Sequence, residues 1–420
     1  MSNRRRLAVA SVVVVIAAAL PAPAVGAPSG RVALAPGNGS SIDPAVSHDG
    51  RYVAFASDAS NLVPGDTNGV SDVFVRDRMT STTRRVSVSS RGREAHGAST
   101  DPAISADGRY VVFTSQAPNL VAHDTNQVAD VFVRDTRNGT TRRVSVSSTG
   151  AQGNDSSEMP DISADGSTVV FASLASNLIP SDTNGSIDVF RHVLSTGRTA
   201  RVSVTNAGRQ GKGSSWQPAV SGNGTRVAFE STAALTPPPG PVLEGWYGVH
   251  VRDTAARTTR LLLWADGAAE CGPFFGPSSI SANGRSVVTV VMQGCDTDKH
   301  ALTQVRLDGK PGHSFDARDF FYGFLSPGAQ DATGALVAYH EDSDGGTPAT
   351  TRKVIALRNW GTGAEQTLAV TSAGGVDLSG DGRTLVFSTG DALVGSDTNA
   401  TADIYVWTPS TGALRLISGH

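Results

Sequence analysis

Four loops of this sequence carry the same oxygen-bearing side chains at the same spacing. In the first loop, Asp66, Asn68 and Asp72 stand at positions 1, 3 and 7 of the segment Asp-Thr-Asn-Gly-Val-Ser-Asp. Carboxylate and amide oxygens are ligands that Ca²⁺ prefers, and backbone carbonyls and waters could complete its shell of about six to eight oxygens. The pattern predicts possible calcium ligands at Asp66, Asn68, Asp72, Asp124, Asn126, Asp130, Asp182, Asn184, Asp188, Asp397, Asn399 and Asp403.

The same residues also fit a purely structural interpretation. The motif is shorter than an EF-hand loop and lacks its central glycine and its bidentate glutamate. Asp66 and Asn68 could instead form Asx turns, and Asp72 could cap the next strand by accepting hydrogen bonds from backbone amides. Repetition does not decide between the two, and a bound ion would stiffen the loops rather than catalyse a reaction.

Sequence motifs for catalysis are absent. The chain has no Gly-x-Ser-x-Gly, no His-Glu-x-x-His and no glycine-rich phosphate loop, and its nine histidines are scattered. The sequence therefore favours a protein without catalytic activity and identifies no catalytic residue. An active site assembled from distant parts of the chain would leave no such motif.

An internal repeat places these loops. Residues 43–55 (Asp-Pro-Ala-Val-Ser-His-Asp-Gly-Arg-Tyr-Val-Ala-Phe) return almost unchanged at 101–113, and the turn glycines Gly50, Gly108, Gly166 and Gly224 are each 58 residues apart. Weaker copies follow at Gly284, Gly334 and Gly382, which makes seven units. The units lie near 31–89, 90–147, 148–204, 205–263, 264–309, 310–370 and 371–420.

Each unit is predicted to contain four antiparallel strands. An Asp-Gly or Asn-Gly pair between two apolar segments is typical of a tight hairpin, and the second and third strands carry apolar residues on both faces. In the first unit the strands are predicted at 45–47, 51–57, 72–76 and 84–88. We therefore expect an all-β, seven-bladed β-propeller of four-stranded antiparallel blades, with six or eight blades as alternatives.

Ring closure and the arginines of the fourth strand are two further features of this propeller. Either residues 31–34 or residues 413–417 could supply the strand that closes the ring. The arginines that recur on the fourth strand, Arg84, Arg85, Arg142 and Arg143, are interpreted as edge charges that block aggregation.

The repeat resembles that of a known family. The pattern Ser-x-Asp-Gly-Arg-x-Val-x-Phe, followed by Asp-Val-Phe-Val-Arg-Asp, is similar to the WD40-like repeat of TolB-type propellers and covers most of the chain. Relatives of this kind are usually binding platforms, and some form the propeller of a larger peptidase. The resemblance thus implies a binding protein.

Units four to six depart from the repeat in their loops. Irregular loops on a regular scaffold often carry binding specificity, which suggests a ligand patch at Trp246, Tyr247, Phe274, Phe275, Phe320, Phe321 and Tyr322. Each of these aromatic residues could instead fill a gap in the core. Cys271 and Cys295 are the only cysteines, and we expect them to form a disulfide in an exported protein.

The N-terminus has the layout of a secretory signal. Arginines at 4–6 precede an apolar run at 7–20 and small residues at 21–27, and the run is shorter than the roughly 20 residues that span a membrane. We expect a signal peptide at 1–27, a single propeller domain at 28–420 and a secreted protein, extracellular or periplasmic. A net charge of −3 provides no basic surface for nucleic acid.

These observations predict a non-catalytic binding or scaffold propeller whose loop face recognises a protein or a cell-envelope glycan. The alternative is a polysaccharide lyase or hydrolase with its active site at the central channel. Calcium is the only cofactor that the sequence suggests, and the oligomeric state is left open.

Overall fold

The computed structural model describes residues 35–237, 247–265, 274–275, 278–293, 299–316, 323–325, 329–343 and 352–419. These residues form strands and turns without a helix, and the strands build seven antiparallel sheets in chain order. The protein is a seven-bladed β-propeller. The predicted fold class and blade number are thereby confirmed.

The first three blades are regular four-stranded meanders. Their strands are β1 (Ser41–Val46), β2 (Tyr52–Ser57), β3 (Asp72–Asp77), β4 (Thr82–Arg85), β5 (Ser99–Ile104), β6 (Tyr110–Ser115), β7 (Asp130–Asp135), β8 (Thr140–Arg143), β9 (Ser157–Ile162), β10 (Thr168–Ser173), β11 (Asp188–Val193) and β12 (Arg198–Arg201).

Blades five and six differ because their first strand is split into two short pieces that pair with the same second strand. The strands of blades four to seven are β13 (Ser215–Val220), β14 (Arg226–Ser231), β15 (Tyr247–Asp253), β16 (Thr258–Ala265), β17 (Phe274–Phe275), β18 (Ser279–Ile280), β19 (Ser286–Gln293), β20 (Lys299–Arg306), β21 (His313–Asp316), β22 (Gly323–Leu325), β23 (Ala329–Gln330), β24 (Leu336–Ser343), β25 (Arg352–Asn359), β26 (Glu365–Ala369), β27 (Val376–Leu378), β28 (Leu385–Thr389), β29 (Asp403–Thr408) and β30 (Ala413–Leu416).

The turn between the first two strands explains the Ser-x-Asp-Gly-Arg pattern. Asp49 Oδ1 accepts hydrogen bonds from Ser47 Oγ at 2.9 Å and from Arg51 N at 3.0 Å. Ser47 Oγ in turn accepts one from Tyr52 N at 2.9 Å. Gly50 has a φ of 71°, a conformation that costs glycine little. Side chains and glycine together therefore fix the hairpin.

These turns also join the blades into a ring. Each turn shares a backbone hydrogen bond with the turn of the next blade, and the last returns to the first. The seven bonds run from His48 N to Ala106 O, Ala106 N to Ala164 O, Asp165 N to Gly222 O, Gly222 N to Ala282 O, Asn283 N to Ala332 O, Ala332 N to Gly380 O, and Asp381 N to His48 O. The loops between the second and third strands lie at the opposite end of the blades.

The hydrophobic core lies between the blades. Val53 and Phe55 of β2 pack with Val386 and Val406 of blade seven, whereas Ala54 on the other face packs with residues of blade two. Successive residues of a strand point to opposite faces, so a central strand must be apolar on both. The contact between blades one and seven closes the ring.

The fourth strand ends earlier than the sequence suggested. β4 covers Thr82–Arg85 rather than 84–88. After Arg85 the chain turns inward, and Val86 and Ser87 are 3% and 0% exposed. Blade seven supplies its own fourth strand, Ala413–Leu416. Residues 31–34 lie outside the described residues.

Replacing Gly108 by alanine is expected to destabilise the protein by about 3 kcal/mol. Gly108 has a φ of 69°, and an added Cβ would lie 2.1 Å from the Tyr52 ring of the preceding blade. Gly139→Ala is the matched control, because Gly139 also has a φ of 69° but its nearest neighbour would be 3.8 Å away. Urea unfolding of both variants measures the difference, and equal losses would contradict a role in blade packing.

Candidate functional site

The Asp-Thr-Asn loop of blade one closes around an arginine. Arg85 Nη1 lies 3.1 Å from Asp66 Oδ1, 2.9 Å from Asp72 Oδ2 and 2.9 Å from Glu94 Oε2. The remaining oxygen of Asp72 accepts a hydrogen bond from Ser87 Oγ at 2.5 Å. A guanidinium therefore already contacts the carboxylates that were considered as calcium ligands and offsets part of their negative charge.

Blades two and three repeat this arrangement. One guanidinium nitrogen contacts both carboxylates of the loop at 2.8–3.3 Å: Arg143 contacts Asp124 and Asp130, and Arg201 contacts Asp182 and Asp188. The loops of blades one to three are thus closed by internal ion pairs. Calcium binding at these three loops stays a prediction, and an arginine already occupies the position between the two carboxylates.

The amide residues behave as the structural interpretation predicted. Asn68 Oδ1 accepts a hydrogen bond from Val70 N at 3.2 Å, which forms an Asx turn, and its Nδ2 donates to Asp72 Oδ2 at 2.8 Å. Asn126, Asn184 and Asn399 form the same turn. Asp72 differs from the prediction, because side chains rather than backbone amides bind its carboxylate.

The interpretation of the fourth-strand arginines as edge charges was wrong for two of the four residues. Arg84 and Arg142 are exposed. The side chains of Arg85 and Arg143 are only 9% exposed and point to the loop carboxylates. Adjacent residues of a strand face opposite sides, so each Arg-Arg pair has one exposed member and one structural member.

Blade seven has no such arginine. Leu416 pairs with Tyr405 at the position where Arg85 pairs with Phe74 in blade one. The Tyr405 hydroxyl donates a hydrogen bond to Asp397 Oδ2. Burial raises the pKa of Asp403 to about 6.

Blade four contains a second unusual group, around a buried glutamate. Glu230 on β14 is 1% exposed. Its Oε2 accepts hydrogen bonds from Trp216 Nε1 at 3.1 Å and from the Tyr247 hydroxyl. With its amide nitrogen facing the carboxylate, Gln217 donates to both carboxylate oxygens at 3.0 Å. These four residues are called the Glu230 cluster below.

The two aromatic rings of the Glu230 cluster form one surface. The centroids of Trp216 and Tyr247 are 5.6 Å apart with an interplanar angle of 30°. Both residues are half-buried, so part of each remains accessible. Gln217 has a φ of 48°, and the matching residues Asp43, Asp101 and Met159 are also left-handed, so this conformation belongs to the repeat. A polar, partly open site therefore lies at the first three strands of blade four.

The Glu230 cluster is specific to this blade among the regular ones. The residues that match Glu230 in blades one to three are Ala56, Thr114 and Ala172, and those that match Trp216 are Ile42, Thr100 and Glu158. Burial raises the pKa of Glu230 to about 7, although its hydrogen bonds from Tyr247 and Trp216 act in the opposite direction. The carboxyl group can thus exchange a proton near neutral pH.

Asp161 and Asp377 are among the carboxyl groups on first strands, which surround the central channel of a propeller. Asp161 Oδ2 accepts a hydrogen bond from Val220 N of the next blade at 2.8 Å. Asp377 Oδ2 accepts one from Val46 N at 2.7 Å. Burial raises their pKa values to about 6 and about 7, and Asp161 contributes to the rise at Asp377. These groups link neighbouring blades.

The described residues test only part of the predicted ligand patch. Tyr247 belongs to the Glu230 cluster, and Phe274 and Phe275 form β17. Trp246, Phe320, Phe321 and Tyr322 lie outside the described residues, as do Cys271, Cys295 and the signal peptide. The disulfide and the signal peptide stay predictions.

The described residues contain neither a metal-binding group of side chains nor a membrane-spanning helix. No group of three or more His, Cys, Asp or Glu side chains among them is arranged to hold a metal ion. No helix in the same part of the chain is long and apolar enough to cross a membrane.

Comparisons with known proteins show the fold. No family model and no curated protein matches the chain. Among solved structures, an oligogalacturonate lyase in complex with manganese is 11% identical with a TM-score of 0.57, over 89% of this chain and 91% of the lyase. The β-propeller domain of the Trilobed protease from Pyrococcus furiosus is 10% identical with a TM-score of 0.55, over 90% and 95%. The likeness is one of fold.

The structure of TolB superposes less well on this chain than those two structures do. TolB from Acinetobacter baumannii is 18% identical with a TM-score of 0.41, and the match covers 67% of this chain and 55% of TolB. The chain therefore spans about half the length of that protein. Membership of the TolB-type family stays a prediction beyond the shared propeller fold.

The sequence did not reveal the Glu230 cluster, the channel carboxyl groups or the role of the buried arginines. The signals were present but weak. Glu230 is a charged residue in the apolar second strand, and Arg201 repeats the position of Arg85 and Arg143.

Proposed function

We propose that the protein is an exported, non-catalytic binding propeller that recognises a cell-envelope glycan through the Glu230 cluster. The observation that carries this proposal is the half-buried Trp216–Tyr247 pair beside the carboxylate of Glu230. Aromatic rings offer rigid, amphipathic contact surfaces, and sugar rings present C–H groups to such surfaces. The predicted signal peptide supports export.

Energetics also support a binding role for Glu230. A carboxyl group whose pKa is raised by burial makes the folded state less stable at neutral pH than a neutral residue would. Blades one to three have alanine or threonine at this position and fold in the same way. A group that costs stability and is dispensable for the fold is a candidate for function.

The binding test uses purified cell-envelope polysaccharide and the Trp216→Ala variant. Removing an aromatic contact from the centre of a binding site commonly weakens affinity by about tenfold or more. We therefore expect Trp216→Ala to lose at least about tenfold in co-sedimentation with the polysaccharide. Met79→Ala is the matched control, because Met79 is a 74% exposed apolar side chain in blade one.

Two outcomes would count against the proposal. Equal retention of wild type and Trp216→Ala would separate glycan binding from the Glu230 cluster. No co-sedimentation of the wild type with the polysaccharide would likewise overturn the proposal of a glycan ligand. Melting curves of both variants, recorded first, ensure that a loss of binding does not reflect unfolding.

A polysaccharide lyase or hydrolase is the second candidate, favoured by one observation. The pKa of Glu230 at about 7 suits a general acid or base. Most glycoside hydrolases, however, use a pair of carboxyl groups, whereas the described partners of Glu230 are Trp216, Tyr247 and Gln217. Release of soluble sugar from the bound polysaccharide, abolished by Glu230→Gln, would favour the enzyme.

A further inference from the structure

The Asp-Thr-Asn loop of blade seven keeps both carboxylates but lacks the arginine that contacts the matching carboxylates in blades one to three. Asp397 and Asp403 match the carboxylates that contact Arg85 in blade one. Leu416 occupies the position of that arginine. Within the described part of the chain, neither carboxylate of blade seven has a cationic partner. The arginine–carboxylate ion pairs that hold the loops of blades one to three are therefore missing in blade seven.

One oxygen of Asp403 is buried without a hydrogen bond. Asp403 is 0% exposed, its Oδ1 accepts a hydrogen bond from Ser418 Oγ at 2.6 Å, and no described atom meets hydrogen-bond geometry with its Oδ2, although Asn399 and Asp397 are close enough to shift the pKa of Asp403. The matching Oδ2 atoms in the other three loops contact a guanidinium at 2.9, 2.9 and 2.8 Å: those of Asp72, Asp130 and Asp188. The unpartnered oxygen thus stands where a cation is bound in its three counterparts.

Neighbouring groups do not supply the missing charge. Asp397 is 7% exposed, and its described side-chain partner, the Tyr405 hydroxyl, is a neutral donor. Besides burial, the negative charge of Asp397 raises the pKa of Asp403. Two adjacent buried carboxyl groups need a shared proton or a cation, because an isolated buried charge is costly.

We propose that this loop binds one Ca²⁺ ion between Asp397 and Asp403. Calcium prefers oxygen ligands in a flexible arrangement of about six to eight, and two carboxylates supply the negative charge of such a site. Backbone carbonyls of the loop and water would complete the shell. The sequence motif predicts four equivalent calcium loops. Of these, the loop of blade seven lacks the arginine because Leu416 replaces it, and the proposal is restricted to that loop.

The position of this loop gives the ion a structural role. Asn399 Nδ2 donates to Gly37 O at 2.7 Å, and Ser41 N donates to Ala402 O at 2.6 Å. The loop therefore holds the segment that leads into β1, next to the contact between the first and last blades. An ion in the loop would stabilise the closed ring.

The test adds calcium chloride alone to the full chain after removal of divalent ions with a chelator. Calorimetric titration is expected to show one site. A ligand at a hundredfold excess over its dissociation constant stabilises the state that binds it, and we expect the melting temperature to rise by about 3–5 °C. Asp403→Asn is expected to abolish both effects.

The decisive variant is Tyr405→Phe/Leu416→Arg, which gives blade seven the phenylalanine and arginine of blades one to three. We expect it to melt without calcium at or above the temperature of the chelated wild type and to show no calcium response. No calcium binding by the wild type, or an equal calcium response in this double variant, would overturn the proposal. Without any response to calcium, a larger rise in melting temperature from pH 7 to pH 5 for the chelated wild type than for Asp403→Asn would show a shared proton instead.

Discussion

Replacing Arg143 by leucine is expected to lower the free energy of unfolding by about 3–5 kcal/mol, since removal of one partner leaves buried charges uncompensated. The side chains of Arg143 and Asp130 are 9% and 0% exposed, so water can compensate little of the loss. Arg143 also donates to His123 O at 3.3 Å. Urea unfolding followed by tryptophan fluorescence measures the change.

Two controls separate charge from other effects of this substitution. Arg142 is the exposed neighbour on the same strand, and Arg142→Leu is expected to change stability by less than about 0.5 kcal/mol. The triple variant Asp124→Asn/Asp130→Asn/Arg143→Leu is expected to be more stable than Arg143→Leu, because it removes the unbalanced carboxylates. A loss below about 1 kcal/mol for Arg143→Leu would show that the ion pairs do not stabilise the loop.

The fold could be predicted because short segments of the sequence determine the strands and turns of each blade. Gly50 marks the hairpin, and Val53, Ala54 and Phe55 are each 0% exposed, as a strand packed between two blades requires. The 58-residue step then repeats this information around the ring. The end of β4 was misplaced because Val86 and Val88 continue the apolar alternation although the regular pairing with β3 ends at Arg85.

The buried arginines were misread because their partners lie far along the chain. Arg85 is 13 residues from Asp72 and 19 from Asp66, so no local pattern joins them. Strand alternation could have separated Arg84 from Arg85, because adjacent residues face opposite sides. Leu416 in place of this arginine and Tyr405 in place of a phenylalanine were the sequence signs that blade seven differs.

The Glu230 cluster was missed for a related reason. The predicted patch was sought in irregular loops, whereas Trp216 and Glu230 lie on regular strands and face each other through the pairing of β13 with β14. Strand register, which is set by tertiary structure, decides that these two side chains meet. A charged residue within the apolar segment Val-Ala-Phe-Glu-Ser was the available signal.

Replacing Glu230 by glutamine is expected to remove a pH dependence of about 3 kcal/mol from the stability of the protein. The pKa of Glu230 is raised from its ordinary value of 4.5 to about 7 by burial. Each pKa unit corresponds to about 1.4 kcal/mol. Because the folded protein holds this proton more tightly than the unfolded chain, the stabilisation is complete below about pH 4.5 and is lost as the pH rises to about 7.

Wild type and Glu230→Gln should therefore have similar stability near pH 4.5, and the variant should become relatively more stable towards pH 8. Asp161, Asp377 and Asp403 have pKa values raised in the same direction, but both proteins contain them, so the difference between the two curves isolates Glu230. Urea unfolding across this pH range provides the curves. Parallel curves would mean that Glu230 titrates as an ordinary exposed carboxyl group, and the energetic argument for its role in binding would then fail.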